Sequence, residues 1–374
     1  MSEEKLVPKL RFSGFDDEWI EEKLGNLVQI KSGECTKNLI TGIDNSIPYF
    51  KVEQLNNSLK YQIKTPYFIN DKSKIVNKGS IIFPKRGAAI LLNKIRILNQ
   101  DSFMDTNLMT LTPNNKLYNE FLYYFIYKEN LSKIADTTSI PQLNNKHIKP
   151  YPIKLPSFEE QLKISKFISS VDKKVSLLSQ NLEIFNDFKK GLLQQIFTQK
   201  LRFNFDDEWK QYKLKDVLTV KSSSISINQL EENTGDYPLY GASGFLKNID
   251  FCEMDVDYIS IVKDGSGVGN LSFHEKNSSI VNTSQYLLPK KNFNINFLYY
   301  LLQTINLMKY VNGSSIPHIY FKDYCIEKIN IPSLDEQEKI GKLFVDVDIT
   351  MENLNKNINA TQEFKKGLLQ QMFV

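Results

Sequence analysis

The sequence predicts an α+β protein in which two mixed, strand-rich domains are joined by two long antiparallel coiled-coil helices, arranged as an internal pseudo-two-fold repeat. Three observations lead there. Residues 153–197, IKLPSFEEQLKISKFISSVDKKVSLLSQNLEIFNDFKKGLLQQIF, return without a gap as residues 329–373, INIPSLDEQEKIGKLFVDVDITMENLNKNINATQEFKKGLLQQMF, at a constant offset of 176 positions. A short aromatic box, LRFSGFDDEW at 10–19, returns as LRFNFDDEW at 201–209. Finally, each long repeat carries apolar residues three and four apart, the spacing of a coiled-coil seam.

The implied order is domain 1 (1–152), spacer helix 1 (153–200), domain 2 (201–328) and spacer helix 2 (329–374). After a frayed lead-in, the first box places Leu10, Phe12, Phe15 and Trp19 at irregular spacing and runs through EEKLGNLVQIKSG into a strand and a glycine turn. Its twin, DDEWKQYKLKDVLTVKSSS, does the same, so the aromatics read as packing residues that dock something common to both halves. In domain 1, residues 47–55, 80–92 and 106–113 alternate or run apolar between Gly, Pro and Asn, as strands do, and residues 117–134 have helical spacing. Domain 2 repeats the plan in residues 236–245, 256–273 and 282–290, followed by a helix over 295–310. Only its end aligns readily, TTSIPQL at 137–143 on GSSIPHI at 313–319, again at the offset of 176. The halves share scaffold and differ in their middles.

Each long helix opens with a proline and a capping box, Pro156-Ser157 with Glu160 and Pro332-Ser333 with Glu336, whose side chains suit the unpaired amides of a helix start. The first seam runs Ile164, Ile168, Val171, Val175, Leu178, Leu182, Phe185, Leu192 and Ile196, broken by Lys189. The second runs Ile340, Phe344, Val347, Met351, Leu354, Ile358, Leu368 and Met372, broken by Thr361 and Lys365. About 40 residues at roughly 1.5 Å each make rods of roughly 60 Å, the proportions of a spacer. Their FKKGLLQQIF and FKKGLLQQMF ends are where apolar surface would await a partner.

With 374 residues, 41% of them hydrophobic and 12% aromatic, the chain can bury real cores. The N-terminus has no apolar leader and no run of about 18 apolar residues occurs, so a cytoplasmic protein with no membrane segment is expected. Cys35, Cys252 and Cys325 are scattered, offering neither a disulfide framework nor a CxxC site. A net charge of +4 permits nucleic-acid binding without arguing for it.

The doubled LRF…DDEW boxes, the LPS…EEQ and IPS…DEQ rod starts and the FKKGLLQQ(I/M)F rod ends resemble the specificity subunit of Type I restriction-modification enzymes over nearly the whole chain. The resemblance implies that the strand-rich domains are target recognition domains, each reading half of a split, asymmetric sequence in double-stranded DNA, and that the rods set the unread gap. It also implies that the chain is non-catalytic, with no cofactor of its own. Two methyltransferase subunits would bind S-adenosylmethionine and methylate adenine; restriction subunits would cleave and translocate DNA with ATP and Mg2+. DNA advances about 34 Å per turn of about 10 base pairs, so readers at most roughly 60 Å apart suit half-sites about one turn apart.

Phosphate contact calls for Lys, Arg, backbone amides and small hydroxyls in loops, and base readout for Arg, Lys, Asn, Gln or Ser on an element that enters the major groove. In domain 1 the candidates are Lys31 and Ser32 after the first strand, Lys85-Arg86-Gly87 after SIIFP, and Gln142, Asn144 and Lys146 in the SIPQLNNK turn. In domain 2 they are Lys221, Ser222, Ser223, Ser243, Lys263 with Ser266 in KDGSG, His318 and Lys322. For any one of them the competing reading is a solvated surface residue, and for Ser139 and Ser315 a turn residue. No phosphate-binding glycine loop, amino-methyltransferase tetrapeptide or HExxH occurs, and His147, His274 and His318 stand far apart. Three function classes remain: a DNA-reading specificity subunit, a pure assembly scaffold whose domains bind protein, and a self-contained nuclease or methyltransferase, which the missing motifs disfavour.

Overall fold

Each aromatic box leads into a two-stranded ladder that closes on the residues just before a long helix, and this closure defines two units. The computed structural model describes residues 6–36, 39–41, 46–70, 75–136, 140–230, 232–313 and 315–374. Unit 1 comprises Met1–Leu177 with Ile358–Val374, and unit 2 comprises Leu178–Asn357. Through unit 1 the chain runs β1 (Ile20–Lys23), α1 (Leu24–Leu27), β2 (Val28–Ser32), β3 (Ile47–Phe50), β4 (Tyr61–Gln62), β5 (Phe68–Ile69), β6 (Ile81–Pro84), β7 (Arg96–Leu98), β8 (Phe103–Met104), β9 (Leu108–Pro113), α2 (Asn119–Glu129), α3 (Asn145–Ile148) and β10 (Pro152–Leu155) into α4 (Phe158–Phe197). It then runs β11 (Lys210–Lys213), α5 (Leu214–Val217), β12 (Leu218–Ser222), β13 (Tyr237–Gly241), β14 (Gly244–Ile249), β15 (Tyr258–Val262), β16 (Leu271–His274), β17 (Ser279–Ile280), β18 (Ser284–Pro289), α6 (Ile295–Gln303), α7 (Phe321–Tyr324), β19 (Lys328–Ile331) and α8 (Leu334–Met372).

The sheets of unit 1 have the orders β2-β9-β6-β7-β4, β5-β3-β8 and β1-β10; those of unit 2 are β12-β18-β15-β16, β14-β13-β17 and β11-β19. Register repeats between them. Ile20 faces Leu155 as Lys210 faces Ile331, and Lys31 faces Thr110 as Lys221 faces Tyr286. Unit 1 adds the parallel strand β4, and where unit 1 has β3 with β5, unit 2 carries the hairpin β13–β14.

Several expected elements are shorter than their apolar runs. Of residues 80–92 only Ile81–Pro84 is strand; Gly87 then takes φ 82° and Ala88–Ile90 forms a 3-10 turn. α2 stops at Glu129, where Asn130 adopts φ 59°, and Leu131–Ile134 continues as a 3-10 turn. In both places a backbone with positive φ, which Gly and Asn tolerate best, ends the regular element.

The rods form helices of 40 and 39 residues. Every predicted seam residue is buried or half-buried. Within unit 1 the two helices run antiparallel: Ile164 and Ile168 share a core with Leu368 and Met372, while Lys365 Nζ lies 2.6 Å from Asp172. Within unit 2 they do so again, with Lys189 Nζ 2.6 Å from Asp348 and Phe197 stacked on Phe344. The seam breaks at Lys189 and Lys365 are thus polar layers. In each, a tyrosine from the neighbouring short helix completes the aspartate: Tyr124 donates to Asp172 at 2.6 Å and Tyr300 to Asp348 at 2.8 Å. Burial, aided by the aspartate, pushes both phenols up.

The capping boxes form differently from expectation. Glu160 N donates to Ser157 Oγ at 3.3 Å, but the Glu160 carboxylate is claimed by Arg11, which grips it with Nε and Nη2 at 2.8 Å each. Arg202 grips Glu336 in the same way, at 2.9 and 2.8 Å. A buried carboxylate beside a forked guanidinium gains more from that bidentate pair than from one amide. The next residue repeats as well: Gln161 accepts from Tyr118 N and donates to Pro156 O, and Gln337 accepts from Asn294 N and donates to Pro332 O.

The boxes dock the rod ends. Trp19 meets Phe121 and Phe373 edge-on, and Trp209 meets Phe297 and Phe197. Lys163 covers Phe12 and Phe15 as Lys339 covers Phe203 and Phe205. The rod ends are divided: Leu368, Leu369, Met372 and Phe373 lie in the core of unit 1 and Ile196 in that of unit 2, while Phe188 and Phe364, which open the two motifs, stand 52% and 54% exposed. Among the described residues, no helix is long and apolar enough to cross a membrane, and no three His, Cys, Asp or Glu side chains cluster as a metal site.

Candidate nucleic-acid interface

The loops after β6 and β15 start from the same physical problem. A buried, apolar strand ends, and its chain must turn outward while keeping its amides paired. Each solves it by continuing as a narrow antiparallel ladder with the turn that precedes a short helix. In unit 1, Leu143 N donates to Lys85 O at 2.8 Å and Gly87 N to Pro141 O at 2.8 Å, with Arg86 opposite Gln142. In unit 2, Ile319 N donates to Lys263 O at 2.9 Å and Gly265 N to Pro317 O at 2.9 Å, with Asp264 opposite His318. A third segment joins in both: Asp136 exchanges two backbone hydrogen bonds with Gln142, as Asn312 does with His318. Gly87 (φ 82°) and Gly265 (φ 93°) close the frames in a conformation that a side chain would strain.

The alternation of this ribbon sorts its residues. Leu143 and Ile319 are 2% and 0% exposed and anchor it to the cores. Arg86 and Asp136 are exposed and Gln142 half-buried; Asn312 is exposed, and Asp264 and His318 half-buried. Ile140 and Ile316 flank the ladders at equivalent places and stand 57% and 67% exposed. Burial, with the Arg86 guanidinium next to it, holds Lys85 below the ordinary lysine range.

Of the sequence-predicted residues, the structure therefore brings together Lys85, Arg86, Gly87 and Gln142 in unit 1, and Lys263 and His318 in unit 2. Asn144 caps α3 and Lys146 lies exposed on it; Lys322 is exposed at the matching place on α7. Ser266 is exposed in the loop after Gly265, and Ser243 at the tip of the β13–β14 hairpin, close enough that a Cβ on Gly267 would meet Ala242 at 3.6 Å. Lys31 and Lys221 are braces: their ammonium groups donate to Ile75 O at 2.9 Å and Glu253 O at 3.1 Å. Ser32 and Ser222 are exposed beside them, Ser222 Oγ accepting from Gln285. Ser223 is buried, its hydroxyl accepting from Ile225 N at 3.1 Å. Ser315 is exposed, and Ser139 lies outside the described residues.

Asp136, Asp264 and Asn312 were not singled out from the sequence. The offset of 176 pairs Asp136 with Asn312 and Gln142 with His318, but Arg86 meets Asp264 at an offset of 178, which the differing middles conceal.

Residues 16–184 and 206–362 match the family of the Type I restriction modification DNA specificity domain. The chain is 22% identical over 399 residues to the MjaVIII Type I restriction enzyme specificity subunit of Methanocaldococcus jannaschii, covering 94% of this chain and 91% of that protein. It is 23% identical over 391 residues to a putative type I specificity subunit of Mycoplasma pneumoniae, covering 98% and 99%. Among solved structures, the Type-I restriction-modification system S subunit from M. genitalium shares the fold with a TM-score of 0.69 at 20% identity, covering 98% of this chain and 99% of that one. A second, described as underlying complex assembly and conformational transition of the type I R-M system, gives 0.56 at 15% identity over 96% and 98%.

Proposed function

Because the chain belongs to the Type I restriction-modification DNA specificity family, whose members are non-catalytic DNA sequence-recognition subunits, we propose that it reads a bipartite, asymmetric target with one unit per half-site. In this reading residues 1–152 and 201–328 are the two target recognition domains, and residues 153–200 and 329–374 are the spacer that sets the unread gap. Helices of 40 and 39 residues amount to roughly 60 Å each, ample for half-sites about one DNA turn apart. The partners are double-stranded DNA, two methyltransferase subunits that carry S-adenosylmethionine, and restriction subunits that carry ATP and Mg2+. The assembly works in the cytoplasm.

One observation carries the reading: two units built on one backbone frame present different polar side chains from the same ladder, Arg86 and Gln142 in one, Asp264 and His318 in the other. Lys85, Gly87, Asn144 and Lys146, with Lys263, Ser266, Ser243 and Lys322, surround these positions as phosphate-contact groups. Lys31 and Ser32 on β2, and Lys221 and Ser222 on β12 with Ser223 just after it, lie on strands that pair with β9 and β18, and the two ammonium groups are taken up by Ile75 O and Glu253 O.

Single-molecule methylome sequencing of a methylation-free host expressing this chain with a cognate methyltransferase subunit tests the proposal. A split motif with methyladenine in both halves, absent when this chain is omitted, is the expected result. A purified complex that adds no motif would favour an assembly scaffold. Deleting turns from both rods should shorten the gap and leave the half-sites unaltered; altered half-sites with an unchanged gap would count against the spacer role.

A further inference from the structure

The ladder of each unit contains three residues that stand directly opposite one another. In unit 1 the row is Arg86, Gln142 and Asp136; in unit 2 it is Asp264, His318 and Asn312. Directly opposed residues of antiparallel strands project to the same side, so each row is one continuous face. Strands lie about 4.8 Å apart, so three side chains span about 10 Å, about three base-pair steps at about 3.4 Å each.

The internal repeat separates frame from face. Around the rows the two units carry the same or nearly the same residues: Lys85 and Lys263, Gly87 and Gly265, Ile140 and Ile316, Pro141 and Pro317, Leu143 and Ile319. Of these, the lysines, glycines and prolines close the turn or make its backbone hydrogen bonds and Leu143 and Ile319 anchor it in the core, while Ile140 and Ile316 stand exposed beside the row. Within the rows all three positions differ, and all six residues are polar. The row changes charge from Arg86 to Asp264, whose Oδ2 lies 3.6 Å from Lys263 Nζ, and it differs at its other two positions as well while the surrounding frame stays fixed.

We propose, resting on the half-site reading above, that these two rows are the base-specificity determinants of the chain. Arg86 offers a forked donor that matches guanine O6 and N7, and Gln142 a donor–acceptor pair that matches adenine N6 and N7. Asp264 offers acceptors only, suited to the cytosine amino group, and Asn312 again matches adenine. Unit 1 therefore reads a G·C pair from its guanine beside an A·T pair, and unit 2 reads a G·C pair from its cytosine. The flanking Ile140 and Ile316 give each row an apolar neighbour for a thymine methyl group.

The test uses the full chain in complex with its methyltransferase subunit and reads the methylome. Arg86→Ala should relax one base pair of one half-site, with about a tenfold or greater loss of preference there. The other half-site and the gap should stay as they were. Asp264→Asn should do the same in the opposite half-site. Giving unit 1 the row of unit 2, by Arg86→Asp with Asp136→Asn and Gln142→His, should bring the two half-sites to share the bases that the rows read. Unchanged half-sites in these variants would overturn the proposal. So would methylation lost from both half-sites in the single and the swapped variants alike, which would make the row a structural element. A wild-type complex with no split motif would instead remove the half-site reading on which the proposal stands.

Discussion

Unit 1 and unit 2 repeat the same set of locks along their helical side and diverge most in the side chains of their loop side. The Arg11–Glu160 and Arg202–Glu336 forks, the Gln161 and Gln337 locks and the two tyrosine–aspartate–lysine layers have the same geometry in both. Around these constants the additions differ. In unit 1 Lys60 reaches the layer, 2.9 Å from Tyr124 Oη and 3.0 Å from Ser169 and Glu120. In unit 2 the distinctive polar group lies in the sheet, where His274 is 8% exposed, bonds Ser260 at 2.9 Å and stacks on Tyr258. A chain that holds two copies of one frame thus contains its own control: what both copies keep holds the frame, and what they vary is free for another task.

The comparison breaks most visibly at the arginine forks. Glu160 is 1% exposed, so Arg11→Ala strands a buried carboxylate, at a cost of about 3–5 kcal/mol. Arg202→Ala strands Glu336, which is 0% exposed, and should destabilise unit 2 in the same sense. The two tryptophans, Trp19 in unit 1 and Trp209 in unit 2, make this measurable. In a Trp209→Phe background the urea transition of unit 1 is followed alone by fluorescence, and in a Trp19→Phe background that of unit 2. If only one unit responded to loss of its own arginine, the forks would not be equivalent.

Acid should distinguish the units. Burial lowers His274 to about 4, from an ordinary value of 6.5. The unfolded chain then takes up a proton that the folded chain refuses. The stability of unit 2 is therefore full above about pH 6.5 and falls as pH drops towards about 4. At roughly 1.4 kcal/mol per pKa unit the loss approaches about 3 kcal/mol. His274→Phe keeps the ring stack and should flatten that slope for unit 2 while leaving unit 1 unaffected. An acid slope that survived the substitution would assign it to other groups.

A smaller difference is expected at the polar layers. Lys189→Met removes the ammonium beside Asp348, a half-exposed pair, and should cost unit 2 about 1 kcal/mol. Lys365→Met should cost unit 1 less, because Lys60 remains close to Tyr124 and Ser169. Adding Lys60→Met to Lys365→Met should cost more than the two single losses combined, since each cation covers for the other. Additivity would show that Lys60 serves only Glu120.

How much of this was legible in the sequence follows from the distance over which each signal acts. The rods were read from local spacing alone, and every seam residue is buried or half-buried. Lys189 and Lys365 appeared only as interruptions, because their partners Asp348 and Asp172 lie on the other helix. Glu160 and Glu336 looked like cap residues for the same reason: the sequence displays the amide three positions away and hides an arginine 149 or 134 positions away. At the candidate interface, glycine-bearing basic loops after strong strands led to Arg86 and Lys263, and the SIPQ and SIPH turns to Gln142 and His318. Asp264 lies outside the residue types sought for base readout, and Asp136 and Asn312 are set opposite Gln142 and His318 only by the ladder.

The weakest effect on the protein discriminates best between the kinds of loop residue. Lys146 on α3 and Lys322 on α7 are exposed and occupy matching places in the two units, beside rows whose side chains do not match. Lys146→Ala and Lys322→Ala should each leave stability within about 0.5 kcal/mol of wild type, as surface changes commonly do. If each lysine neutralises one phosphate, either variant lowers the slope of log affinity against log salt by about one and weakens binding alike for all sequences. The half-sites in the methylome stay as they were. A base preference that moved on loss of either lysine would extend the reading face from the ladder onto the short helices. An unchanged salt slope would leave phosphate contact to Lys85, Lys263 and the loop amides, and would confine the repeat's shared lysines to solvent.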